Sequence, residues 1–221
     1  SCNPAIGGLA KGTLVREIDA LGGAMGEIAD MSSIQFRRLN TRKGLAVQAS
    51  RAQVDIETYP KEMAKRILST PNLMFVEGEV ADVLTTEGRV IGISLSNGDE
   101  YKCQSLILTT GTFLSSVMHC GNEQKEGGRV GDISARKLAK SLLDLGLRLG
   151  RLKTGTTPRL DASTIDWAKM ECQEDSIPNG RFSFTDGIES LPQIDCHMAY
   201  TNSTTHDVIR KGLDRSPMFS G

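Results

Sequence analysis

The sequence predicts an α/β fold with a second, smaller mixed domain, and three features carry that expectation. Apolar residues recur at helical spacing over Thr13–Leu21. Asp82–Thr86, Arg89–Ser96 and Glu100–Gln104 read as strands broken by Glu87-Gly88 and Asn97-Gly98, the pattern of a β-meander. Leu106-Ile107-Leu108-Thr109-Thr110-Gly111 reads as a short buried strand ending on glycine. Composition shifts at Arg151, which sets the expected border between residues 1–152 and 153–221.

The chain opens on Ser1-Cys2-Asn3-Pro4-Ala5-Ile6-Gly7-Gly8-Leu9-Ala10-Lys11-Gly12, a cysteine beside a proline turn and a glycine pair. Gly7 and Gly8 lack a Cβ, so a ligand or another backbone can come close. A cysteine on such a loop is open to substrate, and a nearby positive group raises its thiolate fraction. A packed, inert thiol satisfies the same residues. The helix after this loop puts Leu14, Val15, Ile18 and Leu21 on one face, with Thr13 as the expected N-cap and Gly22 as the stop. Lys11 and Arg16 can add positive potential beside the loop.

Ile34–Arg51 holds Arg37, Arg38, Arg42, Lys43 and Arg51 and no acid, which suits either phosphate contacts or a solvated face. Ser50–Ser69 reads as a helix that Pro60 kinks or splits. Leu73–Val76 is a strand-like apolar run, and the meander and the Thr-Gly strand come next. Gly111 then lies at the carboxyl end of a strand, where parallel sheets bind ligands. Gly127–Gly131 forms a glycine-rich turn before an expected helix over Ser134–Leu145, with Ser134 as N-cap. Leu152–Arg159 reads as a crossing linker. The rest is punctuated by Pro178, Pro192 and Pro217 and carries Trp167, Cys172, Cys196-His197 and His206. Neighbours on a strand face opposite ways, so structural roles are expected for Cys196 and His197. His206, Asp207 and Arg210 suit substrate phosphates or a partner surface.

The 221 residues can bury a sizeable core, and a formal net charge of -1 excludes a global basic field, so nucleic-acid binding must rest on local patches. Five cysteines without a CxxC pair argue against a disulfide framework or zinc ribbon and fit a reducing compartment. No apolar run approaches the roughly 20 residues needed to span a bilayer, and neither a membrane segment nor a signal peptide is expected. Lys11-Gly12-Thr13 has its lysine on the wrong side of the glycine for a Walker A loop. Gly22-Gly23-x-x-Gly26 and Gly127-Gly128-x-x-Gly131 both lack the interposed residue of GxGxxG.

The opening Ser1–Gly12 segment is one of a series of motifs that run in order along the chain. They include Glu17-Ile18-Asp19-Ala20-Leu21-Gly22-Gly23, Ile34-Gln35-Phe36-Arg37, Leu39-Asn40, Lys43-Gly44 and Arg51-Ala52-Gln53. Thr110-Gly111-Thr112-Phe113-Leu114, Gly127-Gly128-Arg129, Gly150–Thr156, Thr201-Asn202, Thr205–Arg210 and Leu213–Met218 come later. Together they resemble the GidA/MnmG family of flavoproteins that modify wobble uridines in tRNA. The resemblance implies a partial Rossmann-like FAD-binding domain with the meander, then a small insertion domain. It implies FAD reduced by NADH, a one-carbon unit from methylenetetrahydrofolate, and addition of a (carboxymethyl)aminomethyl group at C5 of uridine. It further implies tRNA as substrate, an MnmE-type GTPase as partner, a homodimer and a cytoplasmic location.

Residue by residue, the resemblance gives Cys2 the nucleophile's role at C6 of the base. It puts Val80 against the adenine and Thr109, Thr110 and Gly111 along the FAD, with Gly7, Gly8 and Ser134 as further cofactor contacts. Asn3, Lys11, Asn40, Lys43 and Arg51 become substrate contacts. Relatives have proline where this chain has Leu45 and Thr157, and a cofactor-contacting serine where it has Ala135. Their GxGxxG unit precedes the cysteine loop, so the chain is expected to be an internal fragment. A folate- and flavin-dependent tRNA methyltransferase and a non-catalytic tRNA- or partner-binding module are the alternatives.

Overall fold

A computed structural model describes residues 3–173, 177, 180–216 and 219. In chain order its elements begin with β1 (Ala5–Gly7), α1 (Lys11–Ala20), α2 (Met25–Met31), β2 (Ser33–Leu39), β3 (Ala49–Val54) and α3 (Thr58–Ser69). Then come β4 (Val80–Thr86), β5 (Arg89–Leu95), β6 (Glu100–Lys102), β7 (Val117–Cys120), β8 (Glu123–Glu126) and α4 (Arg136–Asp144). β9 (Glu171–Gln173), β10 (Cys196–Met198) and α5 (Ser203–Arg210) complete the order. Among the described residues no helix is long and apolar enough to cross a membrane.

Two compact units share these elements. One takes the chain up to Phe75 together with Thr157–Thr201; the other takes Val76–Thr156 together with the residues from Asn202 onward. The chain passes between the two units at Phe75/Val76, Thr156/Thr157 and Thr201/Asn202.

In the first unit an antiparallel sheet of order β1-β3-β2 aligns Ile6, Ala52 and Phe36 in one row. Side chains alternate across a strand, so this row faces the core, where Val15 of α1, Ala29 of α2, Val54 and Phe182 complete the cluster. Phe182 is fully buried and meets Phe36 edge-on, with ring centroids 5.0 Å apart. It comes from a segment far along the chain that the helices hold by its backbone: Asp30 accepts the N–H groups of Phe182 and Ser183, and Asp19 accepts that of Phe184. β9 and β10 form an antiparallel pair in the same unit.

The second unit carries the meander, ordered β4-β5-β6 as expected. Glu87 and Gly88 both have positive φ, as a type I′ hairpin turn requires, and Gly98 has φ 95°. α4 packs its Leu138 and Leu142 on Val83 of β4. The Ser141 hydroxyl accepts the Val83 N–H at 3.1 Å and also bonds the Asp82 carboxylate, fastening helix to strand.

Several local expectations are corrected. α1 starts at Lys11, so Thr13 is inside the helix rather than its N-cap, and the residue at the cap position, Ala10, has no side-chain acceptor to offer. The chain reaches the helix through Gly8 and Ala10 in left-handed conformations, and Gly12 N–H bonds Gly8 O at 2.8 Å. The stop is as expected: Gly22 N–H bonds Asp19 O and Gly23 N–H bonds Ile18 O, a Schellman closure with Gly22 at φ 83°. Ser50–Ser69 is not one helix. Ala49–Val54 is the central strand of its sheet, because both neighbouring strands need it as hydrogen-bond partner, and α3 begins only at Thr58. Pro60 therefore sits in the first helical turn, where its missing N–H costs no bond.

Leu73–Val76 and Leu106–Gly111 are not strands. No strand among the described residues pairs with them, and Met74 and Ile107 lie 76% and 85% exposed. α4 starts at Arg136, so Ser134 is not its N-cap.

Candidate functional site

Cys2 lies outside the described residues, and the site is built from the loop and strands next to it in the chain. Asn3 is tied to the sheet, its Oδ1 accepting from Gln53 Nε2 at 2.7 Å. Gly7 and Gly8 are both left-handed, at φ 83° and 95°, but their surroundings differ. A Cβ on Gly7 would stand 2.5 Å from Ser50 O and 2.6 Å from Phe182 Cζ, so its bare backbone serves the core. Among the described residues nothing lies within 4 Å of a Cβ on Gly8, which leaves that position open to a ligand. Gly8 N–H bonds Ser50 O at 2.8 Å and locks the loop onto β3. Lys11 is exposed in the first turn of α1.

Arg51 on β3 stands between Gly7 of β1 and Arg37 of β2. Directly opposed like charges disfavour one another. Arg37 bonds Gln173, and neither arginine has an ion-pair partner among the described residues, so the pair is suited to an anion. The connection from β2 to β3 is folded on itself. Asn40 takes φ 59°, its Nδ2 bonds Val47 O, its carbonyl accepts the Lys43 N–H, and Gln48 Nε2 bonds Lys43 O. Arg42 and Lys43 are left exposed on this ordered loop, and Leu45 is 82% exposed.

In the other unit, Thr110, Gly111 and Ser134 meet through Phe113. Thr110 O accepts the Phe113 N–H, while Phe113 O accepts the Ala135 N–H at 2.9 Å and lies 3.5 Å from the Ser134 hydroxyl that donates to it. Ser134 is thus turned inward, and Thr109 is exposed. Gly111 is left-handed at φ 57°, and among the described residues a Cβ there would find only the Phe113 ring, at 3.8 Å. Its backbone is open to close approach. Val80 packs on the same apolar cluster as Leu114 and Ala135.

Sequence reasoning overlooked Asp30, only 4% exposed yet charged. Burial pushes its carboxyl above the ordinary range, against the pull of the Phe182 and Ser183 N–H groups. It also missed the β7–β8 hairpin. The adjacent Cys196 and His197 take separate partners, as expected of a strand. Cys196 Sγ donates to Gln35 Oε1 at 3.1 Å, and His197 lies on Trp167 with ring centroids 4.8 Å apart. Asp207 pairs with Arg210 at 2.8 Å, and Asn202 caps α5 through the Thr205 N–H.

Open glycine backbone occurs at Gly8 in one unit and at Gly111 in the other, and the exposed cations Lys11, Arg42 and Lys43 belong to the first. The family model described as "Glucose inhibited division protein A" matches residues 1–221. The chain belongs to this family, GidA/MnmG. It is 47% identical over 223 residues to the Wolinella succinogenes protein called tRNA uridine 5-carboxymethylaminomethyl modification enzyme MnmG, covering 100% of this chain and 36% of that protein. The Geobacter sulfurreducens protein of the same name is 49% identical over 221 residues, covering 100% of this chain and 35% of the relative. The chain therefore spans about a third of the length of these relatives. A crystal structure of Aquifex aeolicus GidA matches with a TM-score of 0.90 at 42% identity, over 100% of this chain and 38% of the other.

Proposed function

We propose that this chain is the part of a tRNA wobble-uridine modification enzyme that carries the nucleophile and half of the flavin site. The observation that carries the reading is the family match over residues 1–221, joined to 47% identity with a named modification enzyme along the whole chain. In the proposal, residues 1–152 belong to a Rossmann-like FAD domain and residues 153–221 to an insertion domain. The parent works in the cytoplasm as a homodimer with an MnmE-type GTPase.

The cofactor assignment is supported by the open, left-handed backbone of Gly111. Thr109, Thr110 and Gly111 line the adenosine half of FAD, Val80 faces the adenine, and Ser134 acts through Phe113 as a positioning residue. Gly8 contributes open backbone, and Gly7 keeps the loop seated on the core. When bound, FAD reduced by NADH supplies the reducing equivalents for installing the C5 substituent.

C5 of uracil is a weak nucleophile until an anion adds at C6. Cys2 supplies that addition as a thiolate, and Lys11 and Arg16 favour its charged form. Asn3 fixes the loop through Gln53. Asn40, Lys43 and Arg51 bind the RNA backbone, for which the ordered loop and the Arg37/Arg51 row are suited. The test is the flavin content of the purified full-length parent carrying Gly111→Val. A β-branched side chain at this left-handed position obstructs the backbone approach, so flavin absorbance is expected to fall well below that of wild type; full occupancy would remove Gly111 from the cofactor site.

A further inference from the structure

We propose that Gln53 reads the imide edge of the target uracil, N3–H and C4=O, and that Gln35 is the residue that positions its carboxamide. The assignment rests on the tRNA reading above and deepens it, since there Gln53 only steadies Asn3.

The face of the β1-β3-β2 sheet turned away from the core row is polar. Ala52 and Val54 are buried in the core, so Gln53 between them points the other way, on the strand face it shares with Arg51. Across the ladder Gln35 opposes Gln53, and Arg37 opposes Arg51. Opposed side chains on one sheet face start about 5 Å apart at Cβ, so the two carboxamides stand side by side.

Each carboxamide is only half engaged. Gln53 is half-buried and gives one N–H to Asn3 Oδ1 at 2.7 Å, while its Oε1 takes no donor among the described residues. Gln35 is the complement. It is 5% exposed, its Oε1 accepts the Cys196 thiol at 3.1 Å, and its Nε2 is buried without a partner. A buried donor left in this way is costly until an acceptor comes within reach. The acceptor on the opposed residue is Gln53 Oε1. Closing that link makes one chain from Cys196 through Gln35 and Gln53 to Asn3, the residue after Cys2. The chain fixes how the Gln53 amide is turned and leaves it one N–H beside one lone pair.

A donor beside an acceptor matches a ligand that offers C=O beside N–H. Carboxamide side chains read base edges by such two-bond pairs, and unstacked bases present that edge. Uracil supplies it as C4=O and N3–H. The pyrimidine ring of a flavin has the same imide edge and is the rival source. Arg51 favours the uridine: it lies two residues from Gln53 on the same face, about 7 Å along the strand, and suits a phosphate. A uridine carries its phosphate one sugar from the base, whereas in FAD an open five-carbon chain separates the ring from the phosphates.

The pairing also serves the reaction. Addition of the Cys2 thiolate forms the S–C6 bond, and the C5=C6 electron pair passes to C5 and O4 as an enolate. A donor already placed at O4 stabilises that charge. Once C5 has gained its substituent and lost its proton, the thiolate leaves C6 with the bonding pair and the ring double bond returns.

The experiment uses the full-length parent and measures its affinity for tRNA with uridine, 3-methyluridine or cytidine at the wobble position, with flavin content alongside. Methylation removes the N3–H, so wild type is expected to bind the 3-methyluridine tRNA about tenfold or more weakly, as befits a two-bond base contact. Gln53→Ala is expected to lose that discrimination and keep its flavin. Gln53→Glu leaves acceptors only and is expected to shift preference from uridine toward cytidine, whose amino group donates. Misfolding cannot produce such a shift. Gln35→Leu with its flavin retained is expected to shrink the uridine to 3-methyluridine ratio, and an unchanged ratio would overturn its positioning role. Discrimination retained by Gln53→Ala with lowered flavin content would overturn the uracil assignment and give the carboxamide to the flavin. Discrimination retained with unchanged flavin would overturn both sources. Equal binding of uridine and 3-methyluridine tRNA by wild type would overturn the base contact and leave the tRNA reading standing. Failure of wild type to bind any of these tRNAs would overturn both.

Discussion

Asp30 of α2 accepts the backbone N–H of Phe182 with both carboxylate oxygens, at 2.8 and 3.0 Å. It takes the Ser183 N–H as well, at 2.7 Å. One buried charge thereby fixes the segment that supplies the fully buried ring of the core. Charge-assisted bonds of this kind are stronger than neutral ones, and buried donors left without them are costly.

Asp30→Ala should therefore destabilise this unit by about 2–4 kcal/mol, since two buried N–H groups lose their acceptor. The pH dependence has a definite sign. The folded carboxyl sits above its ordinary value of 3.8, chiefly through burial, so between those two values the folded state binds the proton more tightly. Asp30 thus adds stability as pH falls through that window. Asp30→Asn removes this component, and urea unfolding should show its stability declining more steeply on acidification than that of wild type. A parallel decline would mean that Asp30 is not held in this way.

Asp55 carries the opposite sign. Its Oδ1 accepts from the Thr58 hydroxyl and N–H and from the Glu57 N–H, and these bonds, the hydroxyl first, hold its carboxyl below 3.8. The resulting stability is present above 3.8 and is lost as pH falls through the folded value. Asp55→Ala should lower the thermal midpoint at neutral pH and speed amide exchange in the first turn of α3. The gap to wild type should close once the wild-type carboxyl is protonated.

Gly7 and Gly8 are adjacent but not equivalent. Gly7→Ala drives a Cβ to 2.5 Å from Ser50 O at a left-handed backbone position, and a cost of about 2–4 kcal/mol is expected. Gly8→Ala meets no atom of the described residues and should cost about 1–2 kcal/mol from backbone conformation alone. Comparing their denaturation midpoints checks the distinction. Equal losses would show that Gly7 does not seat the loop on the core.

The parts of the fold that were legible in sequence are those whose cause is local. Glu87-Gly88 and Asn97-Gly98 set the meander turns, and Gly22-Gly23 closes α1 by its own backbone geometry. Ala49–Val54 was illegible because its strand character comes from β1 and β2 on either side, while its local pattern runs smoothly into the helix after Asp55. Leu106–Gly111 failed for the converse reason: a good strand sequence makes no strand without a neighbour to share its hydrogen bonds. Of the candidate site, the cysteine loop, Asn40, Lys43 and Gly111 were marked by residue type. The Asp30–Phe182 tether joins residues that only tertiary packing brings together, and no spacing in the sequence signals it.

Modification of C5 of the wobble uridine through Cys2 is the step on which the functional reading stands. It is tested by mass analysis of the wobble nucleoside in tRNA incubated with the full-length protein together with the proposed cofactors, FAD and NADH, and the proposed MnmE-type GTPase. Cys2→Ser replaces a thiol of pKa about 8.5 with an alcohol scarcely ionised at neutral pH. Wild type is expected to leave an aminomethyl-type mass increment at C5. A Cys2→Ser variant that still binds FAD and tRNA is expected to leave the uridine unmodified. A methyl increment with wild type, or near-normal modification by Cys2→Ser, would contradict this mechanism.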